Sequence, residues 1–197
     1  MSNLVAREAP DFKAVAVMPD NGFEENFTLS ALRGRYVVLF FYPLDFTFVC
    51  PSEIIAFDQA LPDFEARECQ VIGVSVDSPF THLAWKKTPV DKGGIGQIRY
   101  PLLSDLKKTI ADSYGILHED GVALRGLFLI DKEGIVKHSL VNDMALGRSI
   151  PEALRMVDAL QFHEARGEVC PANWSEGEEG VTTSAEGVSG YLARHFG

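Results

Sequence analysis

The sequence predicts an α/β domain, a central mixed β-sheet flanked by helices, with a C-terminal arm appended. Three observations carry this reading. Four short runs rich in β-branched and aromatic residues punctuate the chain, the first two are joined by a segment with helical apolar spacing, and the residues after Gly167 turn small and acidic.

The first run, "YVVLFFY" from Tyr36 to Tyr42, and the second, "QVIGVSV" from Gln70 to Val76, read as central strands. Between them Ile54, Phe57, Leu61 and Phe64 form a helical stripe, so the connection reads as a right-handed βαβ crossover between parallel strands. Pro62 falls inside that stripe and is expected to kink or end the helix near Leu61. In "DSPFTHLAWKKT", Ser78 is the expected N-cap with Pro79 at the first helical position, and in "SDLKKTIADSYG" Ser104 is the expected cap with Gly115 as the stop. "GLFLID" and "IVKHSLV" form a hairpin whose turn is "DKEG", a short loop ending in glycine that suits a bulged or type I connection. The last long helix has Ser149 and Glu152 at capping-box spacing and Ile150, Leu154, Val157 and Leu160 along one face. Gly167 ends it, which places a domain boundary between residues 1–166 and an arm, 167–197, too poor in apolar groups to form its own core.

Charge and composition narrow the function classes. With 18 basic against 28 acidic residues the chain carries a net charge of −10, which disfavours a nucleic-acid partner. No apolar run approaches the roughly 18 residues of a membrane span, and "MSNLVAREAP" has neither a basic region nor an apolar signal core, so a cytoplasmic location with no membrane partner is expected. The five histidines are scattered at no metal-binding spacing, and no metal or cofactor is expected.

Three cysteines remain, Cys50, Cys69 and Cys170, with no C-x-x-C pair among them. An odd count at long spacings does not make a disulfide framework, which leaves catalytic, redox or buried thiols as readings. Cys50 is followed by Pro51, a residue favoured in the first turn of a helix, so its sulfur is expected at a helix N-cap near unpaired backbone N–H groups. Such a site favours an anion, and helix N-termini with nearby cations lower a cysteine pKa from about 8.5 to roughly 3.5–7.5. Thr47 and Glu53 occupy the positions where a dithiol exchanger would carry its second cysteine, so Cys50 must react alone and be resolved by a distant group. A lone oxidised thiolate becomes a sulfenic acid, which condenses with another thiol, and Cys170 on the arm is the candidate. Cys69 opens a core strand and reads as structural.

"PLDFTFVCPSE", with Pro43, Thr47 and Cys50, resembles the P-x-x-x-T-x-x-C signature of the peroxiredoxins, and "EVCPANW" around Cys170 resembles the resolving segment of their typical 2-Cys branch, the alkyl hydroperoxide reductase C and thioredoxin peroxidase group. "VIGVSVDSPFTHLAW", "YPLLSD", "LRGLFLID" and "NDMALGRS" extend the resemblance over nearly the whole chain. It implies a thioredoxin-like fold with extra N-terminal strands and a thiol-dependent peroxidase acting on hydrogen peroxide and organic hydroperoxides. By the same resemblance Cys50 is the nucleophile, Thr47 and Arg125 donate to the peroxide, Pro43 shields the sulfur, Glu53 orients arginine, Arg148 is a second such arginine, and Cys170 of a partner chain resolves Cys50. The implied electron donor is thioredoxin or a dedicated flavoprotein disulfide reductase, and the implied assembly is a homodimer that closes into a decamer. "GGIG" at Gly93 to Gly96 and "GYLARHF" at Gly190 to Phe196 partly resemble elements that slow resolution in overoxidation-sensitive members, with Leu192 departing from the pattern. A holdase chaperone or redox-signalling scaffold is the alternative from another class.

Overall fold

The computed structural model describes residues 3–197, which fall into two compact units, one running to Ile150 and the other from Pro151 to Gly197. The division lies at the start of the long helix rather than after it at 166/167, so that helix belongs with the arm.

The first unit is built on seven strands in the order β2-β1-β5-β4-β3-β6-β7. These are β1 (Lys13–Val17), β2 (Phe23–Thr28), β3 (Tyr36–Phe41), β4 (Cys69–Ser75), β5 (Leu102–Ser104), β6 (Arg125–Ile130) and β7 (Val136–Asn142). β3 pairs parallel with β4 and β4 with β5, while β6 runs antiparallel to β3 and to β7. Every residue of β3 and β6 is buried. Unbroken apolar runs form strands covered on both faces, and here they occupy the sheet centre, whereas "FEENFT" of β2 lies at an exposed edge. The four strands read from the sequence are found within one residue of their expected ends. β1 and β2 are the extra N-terminal strands that the resemblance implied, and β5, three residues long, is too short to show a period.

The crossover from β3 to β4 is helical, and Pro62 splits it as expected into α1 (Cys50–Gln59) and α2 (Leu61–Ala66), with Ala60 between them. The next helix, α3 (Pro79–Lys87), is capped by the Ser78 hydroxyl, which accepts from the Thr81 N–H at 3.1 Å. Ser104 is not a cap: it is the last residue of β5, paired with Ser75 and with Val15. The Asp105 carboxylate instead accepts from the N–H groups of Ile110 and Ala111, and the short α4 (Thr109–Ser113) follows. The β6–β7 hairpin closes through Gly134, whose φ of 84° is the left-handed value its turn requires, with a register shift between Leu129 and Ile130.

The second unit comprises α5 (Ile150–Arg166) from its second residue on, the arm, and α6 (Ala185–Phe196). Trp174 and Val181 are its buried arm residues, and Trp174 packs at a tilt against Phe162 of α5 with ring centroids 4.7 Å apart. Among the described residues no helix is long and apolar enough to cross a membrane.

Candidate active site

The chain leaves the sheet at Phe41, turns through residues 42–49 and enters α1 at Cys50. Val49 is the N-cap and contributes no side-chain bond, so Cys50 is the first helical residue, one position inside the expected cap, with Pro51 next to it. The shift leaves the sulfur in the first turn, where backbone N–H groups lack intrahelical partners and the helix dipole is positive.

Two side chains close on this sulfur, and two more hold one of them in place. Thr47 Oγ1 lies 3.0 Å from Cys50 Sγ and 2.8 Å from the Leu44 carbonyl, so its single proton can be given to either. Arg125, at the start of β6, brings Nη1 to 3.3 Å from the sulfur and donates from the same nitrogen to Glu53 Oε2 at 2.7 Å, while its Nε donates to the Met144 carbonyl at 2.7 Å. Glu53, one turn along α1, also accepts from Arg148 through the backbone N–H at 2.8 Å, Nε at 2.7 Å and Nη2 at 3.0 Å. Arg148 Nη1 donates to the carbonyls of Phe41 and Gly126, and its guanidinium sits over the Phe40 ring. The three charged side chains are at most 3% exposed. Charges buried this deeply persist when they are paired and hydrogen-bonded, and Glu53 is paired with both guanidiniums.

In the sequence, Glu53 and Arg148 had a role only through the resemblance. The structure joins both to Arg125 and Cys50. Two guanidiniums against one carboxylate leave one positive charge beside Cys50, which a thiolate would balance. Pro43 is buried at the head of the same loop and, lacking an N–H, donates no bond there. Cys69 is buried in β4, and burial pushes its thiol up to about 12, as suits a structural cysteine. Cys170 lies half-buried on the arm of the second unit, its thiol donating to the Ala159 carbonyl at 3.4 Å, and all three cysteines are free thiols.

A second buried cluster, missed in the sequence, fixes the loop that carries Thr47. The Asp45 carboxylate accepts from the Tyr42 hydroxyl at 2.9 Å and lies 2.7 Å from His82 Nδ1, while His82 Nε2 faces the Leu103 carbonyl at 3.1 Å. Burial pushes the Asp45 carboxyl upward, against the lowering effect of His82. The Asp45 N–H donates to Asp77, and Phe46, at a left-handed φ of 54°, rests its ring against Trp85. A bulky residue at positive φ is held there only by such surroundings. Scattered histidines gave no signal of this cluster, since Asp45 and His82 meet only through the packing of α3 beside β5.

Residues 5–139 match the model of the AhpC/TSA family. The chain is a peroxiredoxin of that family. Residues 159–194 match the model of the C-terminal domain of 1-Cys peroxiredoxin, within which this chain carries Cys170. The alkyl hydroperoxide reductase C of Helicobacter pylori strain J99 is 53% identical over 190 residues, covering 96% of each chain. Mouse peroxiredoxin-2 is 50% identical over 192 residues, covering 97% of this chain and 96% of that one. Among solved structures, the reduced 2-Cys peroxiredoxin of Plasmodium vivax is 55% identical and superposes with a TM-score of 0.95, covering 98% of this chain and all of that one. As a peroxiredoxin the chain has the thioredoxin-like fold and is a thiol-dependent peroxidase.

Proposed function

We propose that Cys50 reduces hydrogen peroxide and organic hydroperoxides and is resolved by Cys170 of a second copy of the chain. The observation that carries the proposal is the placement of the Cys50 sulfur in the first turn of α1, 3.0 Å from the Thr47 hydroxyl and 3.3 Å from the Arg125 guanidinium. The thiolate attacks one peroxide oxygen, the O–O bond breaks, and the second oxygen leaves as hydroxide or alkoxide and takes a proton. Negative charge grows on that leaving oxygen, and the Thr47 hydroxyl, the Cys50 N–H and the Arg125 guanidinium are the donors available to it. Fixed donors of this kind contribute ~3–4 kcal/mol each to transition-state stabilisation. Glu53 and Arg148 hold Arg125 in place, and the buried Pro43 at the head of the loop shields the sulfur from water.

Cysteine is left as a sulfenic acid. Cys170 attacks its sulfur, expelling hydroxide and forming a disulfide, and an external dithiol of the thioredoxin type, or a flavoprotein reductase, returns both thiols. In this division of labour residues 1–166 carry the peroxidase chemistry and 167–197 the resolving arm. The pairing across two chains makes the working unit a homodimer, and the exposed rings of Phe46, Phe48 and Phe80 on the first unit support further assembly, here read as a decamer. Free thiols and the reducing chemistry of this cycle suit a cytoplasmic setting. Peroxide consumption by wild type, Cys50→Ser and Cys170→Ser, with thioredoxin and with a small dithiol as reductant, tests the proposal. Loss of all activity in Cys50→Ser, and loss of thioredoxin-dependent activity alone in Cys170→Ser, is expected.

A further inference from the structure

We propose that Arg155 is a positioning residue for the resolving step, clamping the arm beside Cys170 and presenting a guanidinium to its sulfur with a charge that Glu152 tempers. The inference rests on the reading of Cys170 as the resolving thiol.

The geometry lies wholly within the second unit. On α5, Arg155 makes a two-pronged pair with Glu152 through Nε at 2.6 Å and Nη2 at 2.7 Å. Its remaining terminal nitrogen, Nη1, crosses to the arm and donates to the Trp174 carbonyl at 2.7 Å, just beyond Cys170 in sequence. Cys170 itself bonds the Ala159 carbonyl, one helical turn past Arg155 on the same helix. Arginine and the thiol therefore fasten the same short stretch of arm to the same face of α5. Trp174 completes the attachment with its ring on Phe162 and its Nε1 donating to the Glu178 carbonyl at 3.1 Å.

The electrostatics agree with the geometry. Burial raises the Cys170 thiol, and Arg155 is the charged group that opposes the rise. Two other ionisable groups near this stretch make bonds of their own. The His163 ring bonds the Glu168 carbonyl, and the Glu178 carboxylate accepts from the Ser175 N–H. Glu168 lies on the arm two residues before Cys170, its carboxylate directed toward Gly180. Only the thiolate of Cys170 attacks: its sulfur bonds to the sulfenic sulfur, the S–O bond breaks, and the thiol's proton ends on the departing hydroxide as water. A field that favours the thiolate raises its population while making it a weaker nucleophile. With a nucleophilicity exponent of about 0.4–0.5, population wins and the neutral-pH rate rises.

The test follows disulfide formation by rapid quench and alkylation after one equivalent of hydrogen peroxide, between pH 6 and pH 9, in the full chain. Arg155→Met is expected to slow disulfide formation at neutral pH by about three- to tenfold and to move its pH profile upward, while oxidation of Cys50 in the first phase keeps the wild-type rate. Glu152→Gln, which leaves Arg155 less neutralised, is expected to move the profile downward, and Arg155→Lys to recover most of the neutral-pH rate. Profiles that stay in place in both Arg155→Met and Glu152→Gln, or that move in the same direction, would overturn the inference. Cys170→Ser separates the two levels. Should it leave disulfide formation intact, the resolving assignment fails and this inference with it; should it abolish disulfide formation while Arg155→Met changes nothing, only the role of Arg155 fails.

Discussion

Beside Cys50, Arg125 is the one guanidinium that touches both the sulfur and the Glu53 carboxylate. On the proposed mechanism its removal withdraws a donor from the leaving oxygen, and it leaves Glu53 to Arg148 alone. Arg125→Met should slow Cys50 oxidation by about 10²-fold in stopped flow, on the scale of losing one fixed donor. A rate within a few-fold of wild type would show that the leaving oxygen does not need it. Glu53→Gln should act on stability as well as rate. Two buried guanidiniums would share a neutral amide, at a cost of about 3 kcal/mol or more in denaturant unfolding. Cys69 is buried in a core strand. Its thiol is raised to about 12, so the folded state favours the protonated form; the resulting stabilisation is complete below the unfolded thiol's range and is lost as pH rises toward 12. Wild type should therefore weaken on that alkaline limb more than Cys69→Ala does. In folded protein at neutral pH, iodoacetamide should spare Cys69.

At the scale of elements, the hairpin and the C-terminal helix depend on few groups. A Cβ at Gly134 would collide with the Arg33 guanidinium and would sit at φ +84°, so Gly134→Ala should cost roughly 1 kcal/mol or more. α6 buries none of its residues. It is fastened to the arm by Glu179, which accepts from His195 at 2.6 Å and from Arg194 at 3.1 Å. Those bonds, His195 first, lower the Glu179 carboxyl, so their contribution is present above the unfolded glutamate range and lost as pH falls through the lowered value. Truncation after Gly190 removes both partners. If α6 slows resolution, as the resemblance of "GYLARHF" implied, the truncated chain should form less Cys50 sulfinic acid at high peroxide by mass spectrometry; unchanged sulfinic acid would separate the helix from that control. Local signals made Cys50, Pro51, Pro62 and the "DKEG" hairpin legible in the sequence, because each acts within a few residues of itself. Glu53 with Arg148 and Asp45 with His82 were not legible as pairs. Their partners are separated by 95 and 37 positions, and only the stacking of helices on the sheet brings them together. Ser104 was misread because its cap-like residue type is equally compatible with the end of a short strand, and Asp105 beside it does the capping.

For the whole molecule, Cys50 lies in one compact unit and Cys170 in the other, and the proposed cycle needs both. The pocket holds Cys50 by buried ion pairs, whereas the arm holds Cys170 by a few hydrogen bonds and the Trp174 ring. An arm fastened so lightly can leave its helix to meet a second chain at small cost. Non-reducing electrophoresis with peptide mapping, after one equivalent of hydrogen peroxide, tests this most directly. The expected product is a covalent pair of chains joined between Cys50 of one and Cys170 of the other, absent from Cys50→Ser and from Cys170→Ser. Oxidised wild type that remains single chains, with Cys50 still a thiol or joined to Cys170 of its own chain, would contradict it.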